Sequence, residues 1–163
     1  MPQKIAIAGD SAGGGLVIAT LVALRDKSAT MPACAVAISP WADLGMHGEA
    51  HRTRGARDPI VTRAGLDEMA KAYLGGADPK EPLASPVHAD LQGLPPLLIQ
   101  VGSEEALHGD AFELWRKADE AGLDVSFESW GKMIHVWHIF HVALGEGRDA
   151  VHRIGSFLKN HLE

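Results

Sequence analysis

The run Gly9-Asp10-Ser11-Ala12-Gly13-Gly14-Gly15 directly follows the apolar segment Lys4–Ala8. It fits G-x-S-x-G, a nucleophile elbow in which a strand turns sharply through a serine into a helix. Glycines on either side of the serine let two backbones pass closely, and the turn lifts the hydroxyl above the sheet edge. The following helix aims free N–H groups and its positive dipole end at any oxyanion formed there. Ser11 is therefore the candidate nucleophile, and the amide of Ala12 the candidate oxyanion donor. The plainer role for Ser11 is a side-chain cap on the helix that begins at Ala12. A cap has no need of Gly9, Gly13 and Gly14 around it. Asp10 is assigned no chemistry, only packing against the turn.

A serine becomes a nucleophile when a base takes its proton and an acid orients the base. His135 lies in Met133-Ile134-His135-Val136-Trp137-His138 and is the candidate base. His138 and His141 follow at three-residue intervals, a spacing that does not bring all three to one helix face. No cysteine or carboxylate joins them, so no metal site is expected and both are read as packing residues. His47, His51, His88, His152 and His161 read as ordinary loop or surface residues. The acid is Glu104 or Glu105, with Asp110 a distant third, and spacing alone does not separate the adjacent glutamates.

These residues must be held by a scaffold. Lys4–Ala8, Ala33–Ile38 and Leu97–Val101 are short apolar runs that read as buried strands, and the alternating Val125–Trp130 as a more exposed fourth. Gly15–Leu24 reads as a largely buried helix. Thr62 can cap a helix with an apolar stripe of Leu66, Met69, Ala70, Tyr73 and Leu74. Ala111–Ala121 carries Leu114, Trp115 and Ala118 on one face and ends at Gly122, placed as its C-cap. Arg148–Leu158 closes the chain with Val151, Ile154 and Leu158 inward. Trp41–Pro59 reads as a long loop and Gly75–Pro96 as a proline-rich connector. Alternating strands and helices predict an α/β fold, a mostly parallel sheet flanked by helices. Active sites gather at the carboxyl ends of such strands. Ser11, the Gly102-Ser103-Glu104-Glu105 segment and His135 all fall there.

The 163 residues suffice for one domain with a core, and 46% are hydrophobic. A net charge of −6 argues against nucleic acid or an anionic membrane as partner. The single cysteine, Cys34, excludes an internal disulfide and reads as a buried apolar residue. With neither a signal segment nor a membrane-length apolar stretch, a cytoplasmic protein is expected.

The motifs together resemble the bacterial hormone-sensitive-lipase-like esterases of the α/β-hydrolase fold. The resemblance runs through the Ser11 elbow, Ser39-Pro40-Trp41-Ala42-Asp43-Leu44, Asp58-Pro59, Tyr73-Leu74, Ala84-Ser85-Pro86, the segment from Leu94 to Gly102, and His135-Val136-Trp137-His138. In that family the acid stands two residues before a leucine, so Leu107 selects Glu105. The resemblance implies a Ser11–His135–Glu105 triad hydrolysing short- to medium-chain carboxylic esters through an acyl-enzyme, without cofactor. Some relatives open lactones, which is one alternative. A non-catalytic α/β interaction module is the other.

Three departures from the family pattern carry expectations. Gly109 stands where an acidic residue is usual, which predicts weaker support for Glu105. Gly131-Lys132 stand where Pro-Gly is usual. The family's N-terminal half, with its cap and His-Gly-Gly oxyanion loop, would lie before Met1. A lost oxyanion donor costs about 10²–10³ in turnover. The expectation is a truncated, partial α/β-hydrolase domain over residues 1–163, weak or inactive alone. Its first strand would be an apolar edge that invites a homo-oligomer or a complementing N-terminal half.

Overall fold

The computed structural model describes residues 4–47 and 58–162. His51 and the middle of the Trp41–Pro59 loop lie outside them. Four strands, β1 (Ala6–Asp10), β2 (Cys34–Ile38), β3 (Leu97–Gly102) and β4 (Val125–Trp130), form one parallel sheet in the order β1-β2-β3-β4. They alternate with α1 (Ala12–Asp26), α2 (Arg63–Leu74), α3 (His108–Glu120) and α4 (Gly145–Leu162). Short 3₁₀ turns occupy Pro86–His88 and Trp137–Phe140. This is the α/β architecture expected from the sequence.

Burial follows position in the sheet. β2 and β3 are almost wholly buried, as strands covered on both faces must be, whereas β1 and β4 are the edges among the described residues. One face of the sheet presents Ala35, Ala37, Leu97, Ile99 and Val101. Val17, Ile18, Leu21 and Val22 of α1 and Ala111, Leu114 and Ala118 of α3 join them in one core cluster. The opposite face carries α4, to which Gln100 of β3 donates at the Ala150 carbonyl, 3.3 Å. Cys34 is fully buried and free.

Several boundaries move for identifiable reasons. β1 runs to Asp10 because Gly9 and Asp10 stay in register with Ala37 and Ile38 of β2, and ladder pairing overrides the glycine. α1 starts at Ala12, with three glycines inside the helix, and other backbone occupies the space that side chains at Gly14 and Gly15 would need. A Cβ on Gly14 would lie 2.9 Å from Pro40 Cα, and one on Gly15 would collide with the Trp41 carbonyl. α3 is capped at Ala121, with Gly122 one residue beyond at φ +73°. Trp115 on α3 is only part-buried and stacks on Phe127 of the edge strand β4.

Two expected apolar stripes are only partly inward. Thr62 caps α2 by accepting from Gly65 N at 3.2 Å, and Leu66 and Ala70 are buried. Met69 and Tyr73 are instead 53% and 68% exposed, because they face an open cavity rather than the core. On α4 the buried residues are Gly147 and Ala150, while Val151 is 41% exposed. The helix is rotated so that its smallest residues meet the sheet and the turn at Trp137–Phe140. No helix among the described residues is long and apolar enough to cross a membrane.

The glycines of α1 make a sharp test of this packing. Gly15→Ala should lower unfolding stability by about 2–4 kcal/mol, a backbone clash that flexible side chains cannot relieve. Gly13→Ala meets nothing within 4 Å and should be neutral or up to about 1 kcal/mol stabilising. Urea denaturation of both variants measures the contrast.

Candidate active site

Ser11 sits at φ 55°, ψ −122°, in a region that only a strained non-glycine residue occupies. Its N–H continues the ladder to Ile38 O at 2.9 Å, and its carbonyl accepts from Trp41 N at 2.9 Å and Gly15 N at 3.2 Å. The hydroxyl makes no cap bond to α1, so the capping role does not account for it. Gly9 is required here because a Cβ would collide with the Gly13 carbonyl. Gly13 itself borders open space. Ala12 is the first helical residue, so its N–H has no intrahelical acceptor. Asp10 is exposed rather than packed on the turn.

Across the strand ends, His135 Nδ1 stands 2.9 Å from Glu105 Oε2. Glu105 is fully buried and His135 nearly so. The pair involves Glu105 and not Glu104, whose Oε1 accepts from Ser103 Oγ at 2.9 Å. A carboxylate only accepts, so Nδ1 carries a proton, and in the neutral imidazole Nε2 keeps its lone pair. Burial pushes the Glu105 carboxyl up, while hydrogen bonds from His135, Ser39 and Gly102 pull it back.

The contacts of Glu105 bring in residues that have no role on sequence grounds alone. Ser39 Oγ donates to Glu105 Oε1 at 2.7 Å and accepts from Val136 N at 3.2 Å. One buried hydroxyl thus links the end of β2, the acid and the residue after His135. Gly102 N donates to the same Oε1 at 2.5 Å, and a Cβ on Gly102 would collide with the Met133 carbonyl. Asp58 Oδ2 accepts from Ala106 N at 3.1 Å, and Asp110 Oδ2 from Ala42 N and Asp43 N at 3.0 and 2.9 Å. Asp110, the third acid candidate, thus braces the loop after β2, and Asp58 and Asp110 hold the segment beside Glu105 that Gly109 was expected to weaken. The signal for Ser39 and Asp58 lay only in the motifs that carry them.

Of the six described non-glycine residues with positive φ, four lie at these strand ends: Ser11, Ser39, Lys132 and Val136, the last a β-branched residue at φ 49°. Lys132 occupies the position where the resemblance expects glycine, and it adopts φ 63°.

His138 is a buried polar anchor, not apolar packing. Its Nε2 meets Gln100 Oε1 at 2.8 Å, and Gln100 Nε2 donates to Glu128 Oε2 at 2.8 Å. Gln100 therefore offers its carbonyl, which places the His138 proton on Nε2. Burial holds the His138 pKa down, to about 4. His141 is exposed, its Nδ1 3.1 Å from the His138 carbonyl. Beside Ala12 opens an apolar cavity of about 370 Å³, lined among others by Leu16, Trp41, Leu44, Met69, Tyr73 and Leu83.

Residues 1–139 match a family described as alpha/beta hydrolase fold. The chain is 56% identical over 158 residues to an acetyl-hydrolase of Streptomyces hygroscopicus, covering 97% of this chain and 53% of that protein. It is 37% identical over 161 residues to a putative acetyl-hydrolase of Mycobacterium tuberculosis, covering 99% and 52%. It superposes on the crystal structure of an esterase from the bacterial hormone-sensitive lipase family with a TM-score of 0.97 and 49% identity, covering 100% and 55%. The chain thus spans about half the length of the relatives it matches.

Two measurements probe the site's supports. Ser39→Ala removes one donor from Glu105 and the acceptor of Val136 N, and should cost about 1–3 kcal/mol in denaturant unfolding. His138 protonates near pH 6.5 when unfolded but only near 4 when folded. The unfolded chain binds the extra proton between those values, so stability is complete above about pH 6.5 and falls as pH drops towards 4. The loss, on the order of 3 kcal/mol, should shrink in His138→Gln, which keeps an amide donor for Gln100 but does not titrate.

Proposed function

The chain belongs to the alpha/beta hydrolase fold family, and on that footing we propose that it carries the nucleophile, base and acid of a serine esterase. The observation that carries this reading is the buried His135–Glu105 pair, 2.9 Å apart, at the same strand ends as the strained Ser11 turn. His135 Nε2 takes the proton of Ser11 Oγ as that oxygen attacks the ester carbonyl carbon. The N–H of Ala12 receives the oxyanion. His135 then returns the proton to the departing alkoxide, leaving an acyl group on Ser11. A water molecule attacks the acyl carbon, gives its proton to His135, and the acid leaves as Ser11 Oγ is reprotonated. Glu105 stays ionised throughout and stabilises the imidazolium.

The apolar cavity beside Ala12 suits a short to medium hydrocarbon substituent of the ester, and its lining offers no charge to bind a polar one. An acetyl-hydrolase among the relatives fits the same size class. Turnover also depends on oxyanion donors beyond Ala12, each worth about 10²–10³. Covalent labelling depends on the activated serine itself and reads the triad more directly.

A fluorophosphonate probe should label this chain at Ser11 at neutral pH and fail on Ser11→Ala. Glu105→Gln turns an N–H towards His135 Nδ1, forces the opposite tautomer, and should slow labelling by up to about 10⁴-fold. p-Nitrophenyl butyrate hydrolysis should follow the same order. Equal labelling of the chain and Ser11→Ala, with both folded by circular dichroism, would assign the chain to a non-catalytic role.

A further inference from the structure

Outside the Ser11–His135–Glu105 constellation, two histidines and an aspartate converge where the loop after β2 meets the turn at Pro86–His88. His47 Nδ1 lies 3.1 and 3.2 Å from the two carboxylate oxygens of Asp43. His88 Nε2 lies 3.6 Å from Asp43 Oδ1. One ligand atom from each residue falls within 4.8 Å of the others. His88 Nε2 is buried and has no hydrogen-bond partner, since 3.6 Å is beyond hydrogen-bond reach. A buried imidazole nitrogen left in that state is costly. The two rings meet edge to face, with centroids 6.0 Å apart.

We propose that Asp43, His47 and His88 form a binding site for a divalent transition metal of the zinc class, which staples the loop after β2 to the Pro86–His88 turn. Zinc takes imidazole nitrogen and carboxylate oxygen at about 2.0–2.2 Å in a tetrahedron, so its ligand atoms stand about 3.3–3.5 Å apart. The separations from Asp43 bracket that spacing. Two neutral imidazoles and one carboxylate favour zinc, cobalt or nickel over calcium or magnesium, which demand more oxygen ligands.

The protein holds these ligands before any ion arrives. Asp43 is 6% exposed, its N–H is fixed by Asp110, and its carboxylate is oriented by Gly45 N and His47 N at 2.9 and 2.8 Å. Val87 N donates to Ala42 O at 3.2 Å and Leu44 N to Ser85 Oγ at 2.8 Å, which sets the two segments in register. The same segments supply Trp41, Leu44, Leu83 and Ala84 to the apolar cavity. A metal here would stiffen that wall without touching the triad.

The test uses the untagged chain, stripped with chelator and titrated with ZnCl₂ and CoCl₂. The expected result is one metal ion per chain by elemental analysis after gel filtration. Cobalt should give a visible d–d absorption, and zinc a rise of several degrees in melting temperature. His88→Gln and the exposed-side variant His47→Ala should each lose at least tenfold in affinity and the thermal shift. His152→Gln, at an exposed histidine of α4, should keep both. If His88→Gln fails to fold, His47→Ala carries the comparison. Sub-stoichiometric zinc in the parent chain, or undiminished binding and stabilisation in His47→Ala, would overturn the proposal.

Discussion

A carboxylate with no access to water must be surrounded by donors, and Glu105 draws them from three separate segments. Gly102 supplies a backbone N–H from the end of β3, Ser39 a hydroxyl from the end of β2, and His135 an imidazole N–H from the loop after β4. Because each donor is needed to offset the buried charge, the acid fixes the relative positions of all three strand ends. Ser39 then passes the constraint on by accepting from Val136 N. Asp58 and Asp110 repeat the same physics one layer out, each using a buried carboxylate to gather backbone N–H groups of neighbouring loops.

This arrangement explains why strain concentrates where it does. Ser11, Ser39, Lys132 and Val136 all hold positive φ, at a cost that only a surrounding structure of fixed hydrogen bonds sustains. The sheet provides the fixed frame. β2 and β3 are buried on both faces, and Gln100, in the middle of β3, ties the His138 turn and α4 to the sheet through two polar contacts and bonds Glu128 of β4 through a third. The loop bearing His135 is thus anchored at Val136 by Ser39 and at His138 by Gln100, which leaves the imidazole little freedom except at Nε2.

The elements that depend on local pattern were readable from the residues. The β4 limits match, β2 and β3 differ by one residue at one end, and the Thr62 cap forms as its spacing requires. The elbow was legible because a serine among glycines after an apolar run admits few other geometries. What could not be read depended on contacts distant in sequence. Glu104 and Glu105 are indistinguishable locally, and only the position of Leu107 in a family pattern separated them. Ser39 lies 66 residues from Glu105, so nothing near it signals its contacts. Met69 and Tyr73 obey the helical period but face a cavity, and Val151 is turned outward because Gly147 and Ala150 allow a closer approach on the adjacent face. His47 and His88 gain meaning only when Asp43 stands between them.

The Glu105 carboxylate sets the His135 tautomer, and nitrogen-15 NMR of the imidazole reads that tautomer directly. With the His135 signals assigned by comparison with His135→Gln, the uncharged imidazole of the folded chain should show Nδ1 protonated and Nε2 bare. Glu105→Gln should reverse the two. A bare Nδ1, or a rapidly averaged pair of tautomers in the folded chain, would mean that Glu105 does not set the tautomer.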